Sequence, residues 1–154
     1  MKPTILAALS MLAFTPVAIA QQHPVDHVMT SPSDLKWADV GAIGGAKIAV
    51  LEGPLTEAVP FVIRLQFPAG TKVAPHYHST IEHVTILTGE MKMGAGDVLD
   101  PSKTKALEPG SISIMQPGVH HFAYFDKDSI VQVHGVGPWT VTYLNPADDP
   151  RNKK

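Results

Sequence analysis

From residue 35 onward the chain is built of short segments in which apolar side chains recur at every second position, each closed by glycine and proline. Phe61, Ile63, Leu65 and Phe67 alternate with Val62, Arg64 and Gln66. Ile112 and Ile114 alternate with Ser111 and Ser113, and Trp139, Val141 and Tyr143 with Thr140 and Thr142. A period of two buries one face of a segment and turns the other away, which is the pattern of a strand. Between these runs lie Pro68-Ala69-Gly70, Thr88-Gly89-Glu90, Gly94-Ala95-Gly96-Asp97, Pro109-Gly110 and Gly137-Pro138, all with turn chemistry. About eight to ten short strands fit between such breaks, and no long helix does after residue 20. The expected fold class is all-β, a sandwich or barrel. A chain of 154 residues has room for one domain, and a 44% hydrophobic content is enough to give it a core.

Residues 1–20 read differently. Lys2 precedes a mostly apolar run from Ile5 to Phe14, and Val17-Ala18-Ile19-Ala20 ends in the small-x-small pattern of a signal-peptidase site. With Pro16 inside it, the run is short for a membrane span. The segment is expected to be a secretory signal cleaved after Ala20, giving a periplasmic or secreted protein with no membrane attachment after cleavage. Residues 21–34 are polar and read as a flexible arm, so His23 and His27 are expected to be solvated. Residues 35–145 hold the barrel, and residues 146–154 form a polar tail. The absence of cysteine excludes disulfides, thiolate nucleophiles and thiolate metal ligands. A net charge of −2 and 6% aromatic residues provide neither a basic footprint nor a stacking platform, which excludes nucleic acid as a partner.

The chemistry must then rest on histidine, carboxylate and hydroxyl groups. Six of the eight histidines lie between positions 76 and 134. On an extended chain His76 and His78 share a face, and Glu82 has the same parity, so it joins them if the chain stays extended or bends only slightly. Two imidazoles and a carboxylate on one concave face are a minimal set for a divalent metal. Further on, a strand runs into Gln116-Pro117-Gly118 and emerges as His120-His121. Neighbours in a strand face opposite sides, so one of this pair enters the same interior, and parity alone does not say which.

These two stretches resemble the two signature motifs of the cupin superfamily. The first motif is Gly, five residues, His-x-His, three residues, Glu, six residues, Gly, and Gly70, His76, His78, Glu82 and Gly89 match it throughout. The second is Gly, five residues, Pro-x-Gly, two residues, His, three residues, Asn. Gly110, Gly118 and His121 match it, while Gln116 stands at the Pro position, with Pro117 one place later, and Phe125 stands at the Asn position. The resemblance covers residues 35–145. It implies a double-stranded β-helix, or jelly-roll barrel, with a metal in its mouth held by His76, His78, Glu82 and His121. It selects His121 over His120, and it implies a homodimer as the state of assembly.

Three imidazoles and a carboxylate suit one divalent transition metal, Fe, Mn, Cu, Ni, Zn or Co, with Cu and Zn favoured by affinity outside the cytosol. The functional expectation is a metal-dependent enzyme, an oxygenase, lyase or isomerase, acting on a small organic substrate. His134 or Glu82 would move a proton in it. The alternative is a non-catalytic module of the cell envelope that binds a small ligand or a metal ion. Among the remaining residues, His83 and Tyr77 are expected to point away from the ligands. His134 shares parity with Gln132 and is a candidate to line the cavity beside the metal, or else a hydrogen-bonded strand histidine. Arg64 and Gln66 share a face that would meet a substrate carboxylate or simply solvent, and Trp37 and Trp139 read as core.

Overall fold

The computed structural model describes residues 27–40 and 43–152. The segment read as a signal, and the start of the arm with His23, lie outside the described residues. Eleven strands follow in order: β1 (Ala38–Asp39), β2 (Lys47–Glu52), β3 (Pro60–Phe67), β4 (Thr71–His78), β5 (Glu82–Thr88), β6 (Met91–Ala95), β7 (Lys105–Leu107), β8 (Ile112–Met115), β9 (His121–Phe125), β10 (Ser129–Val136) and β11 (Val141–Tyr143). They form two antiparallel sheets, one ordered β1-β2-β3-β10-β5-β8 and the other β11-β4-β9-β6-β7. The chain crosses repeatedly from one sheet to the other, as a jelly roll does. The all-β jelly-roll barrel expected from the sequence is what forms, and the only helical pieces among the described residues are short 3-10 turns.

The inner faces of the two sheets make the core. Phe61 and Ile63 from β3, Ile86 from β5, Phe125 from β9, and Val131 and Val133 from β10 are each at most 2% exposed. Burying one such side chain stabilises the fold by roughly 1.5–3 kcal/mol. Phe67 and Phe125 bridge the sheets, their rings stacked with centroids 4.1 Å apart. Gly89 turns the chain from β5 into β6 at φ +77°, where a Cβ would lie 2.3 Å from Ser129 Oγ and 2.4 Å from the Asp128 carbonyl. No other residue fits that corner.

One detail departs from the sequence reading. On β8 the apolar positions face outward: Ile112 and Ile114 are each 52% exposed, and Met115 is buried instead. β8 is an edge strand, so only one neighbour and one sheet face constrain it. The polar C-terminal segment is tied down as far as residue 152. It forms 3-10 turns at Pro146–Asp148 and Pro150–Asn152, and Arg151 Nη2 donates to the Val141 carbonyl at 3.0 Å. In the arm, residues 27–34 are exposed, His27 included, and carry a single 3-10 turn at Pro32–Asp34.

Candidate metal centre

β4 delivers two of the histidines by means of an irregularity. Thr71 and Val73 pair with Phe125 and Ala123 on β9 and face inward with them. Simple alternation from Val73 would then turn His76 and His78 outward. The register shifts between Val73 and His76, so that His76 stands opposite His121. The extra residue of this bulge reverses the parity and aims both imidazoles into the barrel. Pro75, which cannot donate to a ladder, sits within it.

Glu82 arrives from the other sheet. The chain leaves β4 at His78, turns, and begins β5 at Glu82, whose side chain faces inward with Val84 and Ile86. An extended chain from His76 to Glu82 is therefore not how the carboxylate reaches the histidines; it faces them across the barrel. His121 opens β9 and points inward, while His120 turns outward, where its Nδ1 lies 2.7 Å from Asp97.

His76, His78, Glu82 and His121 are each at most 6% exposed. One ring nitrogen from each histidine lies within 4.8 Å of the others. Glu82 Oε2 is 3.2 Å from His78 Nε2 and 3.7 Å from His121 Nε2. The Nδ1 atoms all face backbone carbonyls: Ala74 at 2.7 Å from His76, Thr140 at 2.8 Å from His78 and Val119 at 3.0 Å from His121. A carbonyl oxygen can only accept, so each Nδ1 carries a proton, and in the neutral ring Nε2 is then the atom that keeps a lone pair. His78 Nε2 is buried with no hydrogen-bond partner of acceptable geometry. Burial, reinforced by His121, pushes the His76 pKa down to about 3, and burial also lowers that of His121. Three imidazoles that can present Nε2 to a common point, with a carboxylate beside two of them, are the donor set a divalent transition metal takes, so the residues fit such an ion.

Trp139, read from the sequence as core, is part of this centre. Its Nε1 donates to Glu82 Oε1 at 3.2 Å, and its ring stacks on His78 at 5.1 Å with 13° between planes. It thereby orients two of the four candidate ligands. Tyr143, 5.6 Å from the His76 ring, lines the same cavity, and burial raises its pKa, so its hydroxyl stays protonated. The only sequence signal for either residue is the period-two run from Trp139 to Tyr143, which shows a common face without showing what that face meets.

The other candidates lie elsewhere. His134 does not reach the cavity. On β10 Val131 and Val133 face inward, and the opposite parity carries His134 to the outer face, where it stacks on His83 at 4.8 Å. That placement does not support a proton-transfer role beside the metal. Arg64 is on the same outer face, its Nε 3.3 Å from Gln132 Oε1, and does not meet a ligand in the barrel. Tyr77 points away from the centre and lies 5.4 Å from the His120 ring.

Residues 25–139 match the family described as the ChrR cupin-like domain. No curated protein matches the sequence. Among solved structures, an RmlC-like cupin from Shewanella frigidimarina aligns with a TM-score of 0.59 at 19% identity, covering 72% of this chain and 91% of its own. An acetylacetone dioxygenase from Acinetobacter johnsonii aligns at 0.64 and 15% identity, covering 88% of each chain. The complex of Rhodobacter sphaeroides SigE with the anti-sigma ChrR contains a chain that aligns at 0.52 and 22% identity, covering 68% of this chain and 51% of that one. At such identities the likeness establishes the fold and not the activity. With the family match spanning most of its length, the chain belongs to the cupin superfamily, in the family of ChrR cupin-like domains.

Proposed function

We propose that this chain is a metal-dependent enzyme acting on a small organic substrate, with one divalent transition metal held by His76, His78, Glu82 and His121. The observation that carries the reading is the set of three Nδ1–carbonyl contacts, which leave the clustered Nε2 atoms free to act as donors in an apolar cavity, those of His78 and His121 beside Glu82. A bound ion would supply Lewis-acid polarisation of a substrate oxygen and, in a redox-active form, electron transfer to or from dioxygen. Glu82 is the carboxylate in position to take up a proton, and the Trp139 bond to Oε1 directs its other oxygen toward the histidines. The apolar walls exclude water from the reacting groups. Dioxygenases and the polyketide cyclase RemF share the fold, which is compatible with such a role. Export to the periplasm or medium belongs to the same proposal and sets where the metal is acquired.

A second reading draws on the likeness to a chain of the SigE–ChrR complex: a non-catalytic module of the cell envelope in which the centre holds a metal or small ligand. The two are separated by elemental analysis of protein purified without added metal, followed by oxygen-uptake and lyase assays. About one equivalent of metal with turnover supports the enzyme. Metal without turnover on any substrate class supports the module, and no metal even after titration refutes both metal assignments.

A further inference from the structure

The cavity at the histidine cluster is small and nearly all apolar. Its volume is about 150 Å³. A cavity of about 150 Å³ lined by aliphatic and aromatic side chains holds one benzene molecule. Phe67 and Phe125 close one part of it, with Leu65, Val131 and Val133 beside them and Ala123 from the second sheet. The polar groups that reach it are the candidate metal ligands, Tyr143 and the indole N–H of Trp139, and that N–H is already engaged with Glu82. Among the described residues, no lysine, arginine, serine, threonine, asparagine or glutamine lines it. Two strand cations are turned outward, Arg64 toward Gln132 and Lys92 toward Asp126.

Resting on the metal-dependent reading above, we infer that the substrate is a molecule about the size of one six-membered ring, with an oxygen head at the histidine cluster and an uncharged, apolar body. Transfer of hydrocarbon from water to the Phe and Val walls is favourable, and transfer of a second anionic group is not. A carboxylate on the body would lose its hydration with only the Tyr143 hydroxyl to donate to it and no cation to balance its charge. Phe125 contributes directly to this selection: it places a ring in the wall where the cupin motif has an amide.

The test is calorimetric titration of the full mature protein, in two arms. On metal-stripped protein, where Glu82 and the Nε2 lone pairs of neutral imidazoles give a carboxylate no donor at the head position, toluene is expected to bind and benzoate to bind about tenfold weaker or not at all. On Zn(II)-loaded protein, 4-methylcatechol is expected to bind about tenfold tighter than 3,4-dihydroxybenzoate, which has the same head, and than naphthalene-2,3-diol, which has a second ring. Competition with toluene places the catechol in the same cavity. Ala123→Leu, which narrows the cavity, is expected to weaken toluene by about tenfold. Absence of toluene binding, or equal or tighter binding of either carboxylated probe, overturns the inference. Equal binding of the two-ring diol overturns its size limit. Failure of Zn(II) to bind at all would remove the metal-dependent reading, and the toluene and benzoate pair would still decide the character of the cavity.

Discussion

Trp139→Phe separates the two things Trp139 does, since phenylalanine keeps a ring against His78 and removes the N–H that holds Glu82. Glu82 is 4% exposed, so the loss leaves Oε1 buried without its donor. The stability cost of an orphaned buried acceptor is about 1–3 kcal/mol, and more when it is charged. The cost to metal binding follows from orientation. Removing the partner of a ligating carboxylate typically weakens affinity by about 10–100-fold, or roughly 1.4–2.7 kcal/mol. The assay is Zn(II) competition against a chromophoric chelator for wild type, Trp139→Phe and His83→Ala. His83 lies on the outer face and provides a reference for nonspecific effects. Weakening confined to Trp139→Phe is expected. Zn(II) affinity within about threefold of wild type would refute the orienting role, even if thermal stability had dropped, because packing alone would then account for the residue.

His76→Ala, His78→Ala and His121→Ala are each expected to lose stoichiometric metal while His83→Ala retains it, as read by elemental analysis; full metal in all three would defeat the ligand assignment. Gly89→Ala forces a Cβ against Ser129 and the Asp128 carbonyl at positive φ. It should destabilise the fold by about 2–4 kcal/mol in denaturant unfolding, and an unchanged midpoint would show that the turn relaxes. Phe125→Ala removes the stack with Phe67 and should cost about 3–5 kcal/mol while metal content per folded molecule is kept. Expression with the native N-terminus should yield a secreted or periplasmic product that begins at Gln21 by mass spectrometry; an intact Met1 on the folded protein would overturn the signal reading.

Local chemistry was enough to read the strands, the turns and the motif residues. Alternation in β3 and the glycine-proline breaks specify short strands because side-chain direction and turn dihedrals depend on a few neighbouring residues. The same locality explains why His83 and Tyr77 were legible as facing away. The sequence also carried the four candidate ligands, but only through resemblance to a motif, since parity left His120 and His121 open. Other features were decided by tertiary structure. The bulge before His76 depends on pairing with β9, a partner some 45 residues away, so counting along β4 does not reveal it. Glu82 meets the histidines from the opposite sheet, a consequence of the crossover and not of an extended segment. Trp139 reaches both His78 and Glu82 because β11 pairs with β4, and His134 misses the centre because β10 presents its valines inward. Ile112 and Ile114 face outward for a similar reason: an alternating pattern defines two faces, but which one is covered depends on what the rest of the chain packs against it. Sequence periodicity acts over a few residues, whereas the centre is assembled from strands of two sheets, and only their packing determines which side chains converge.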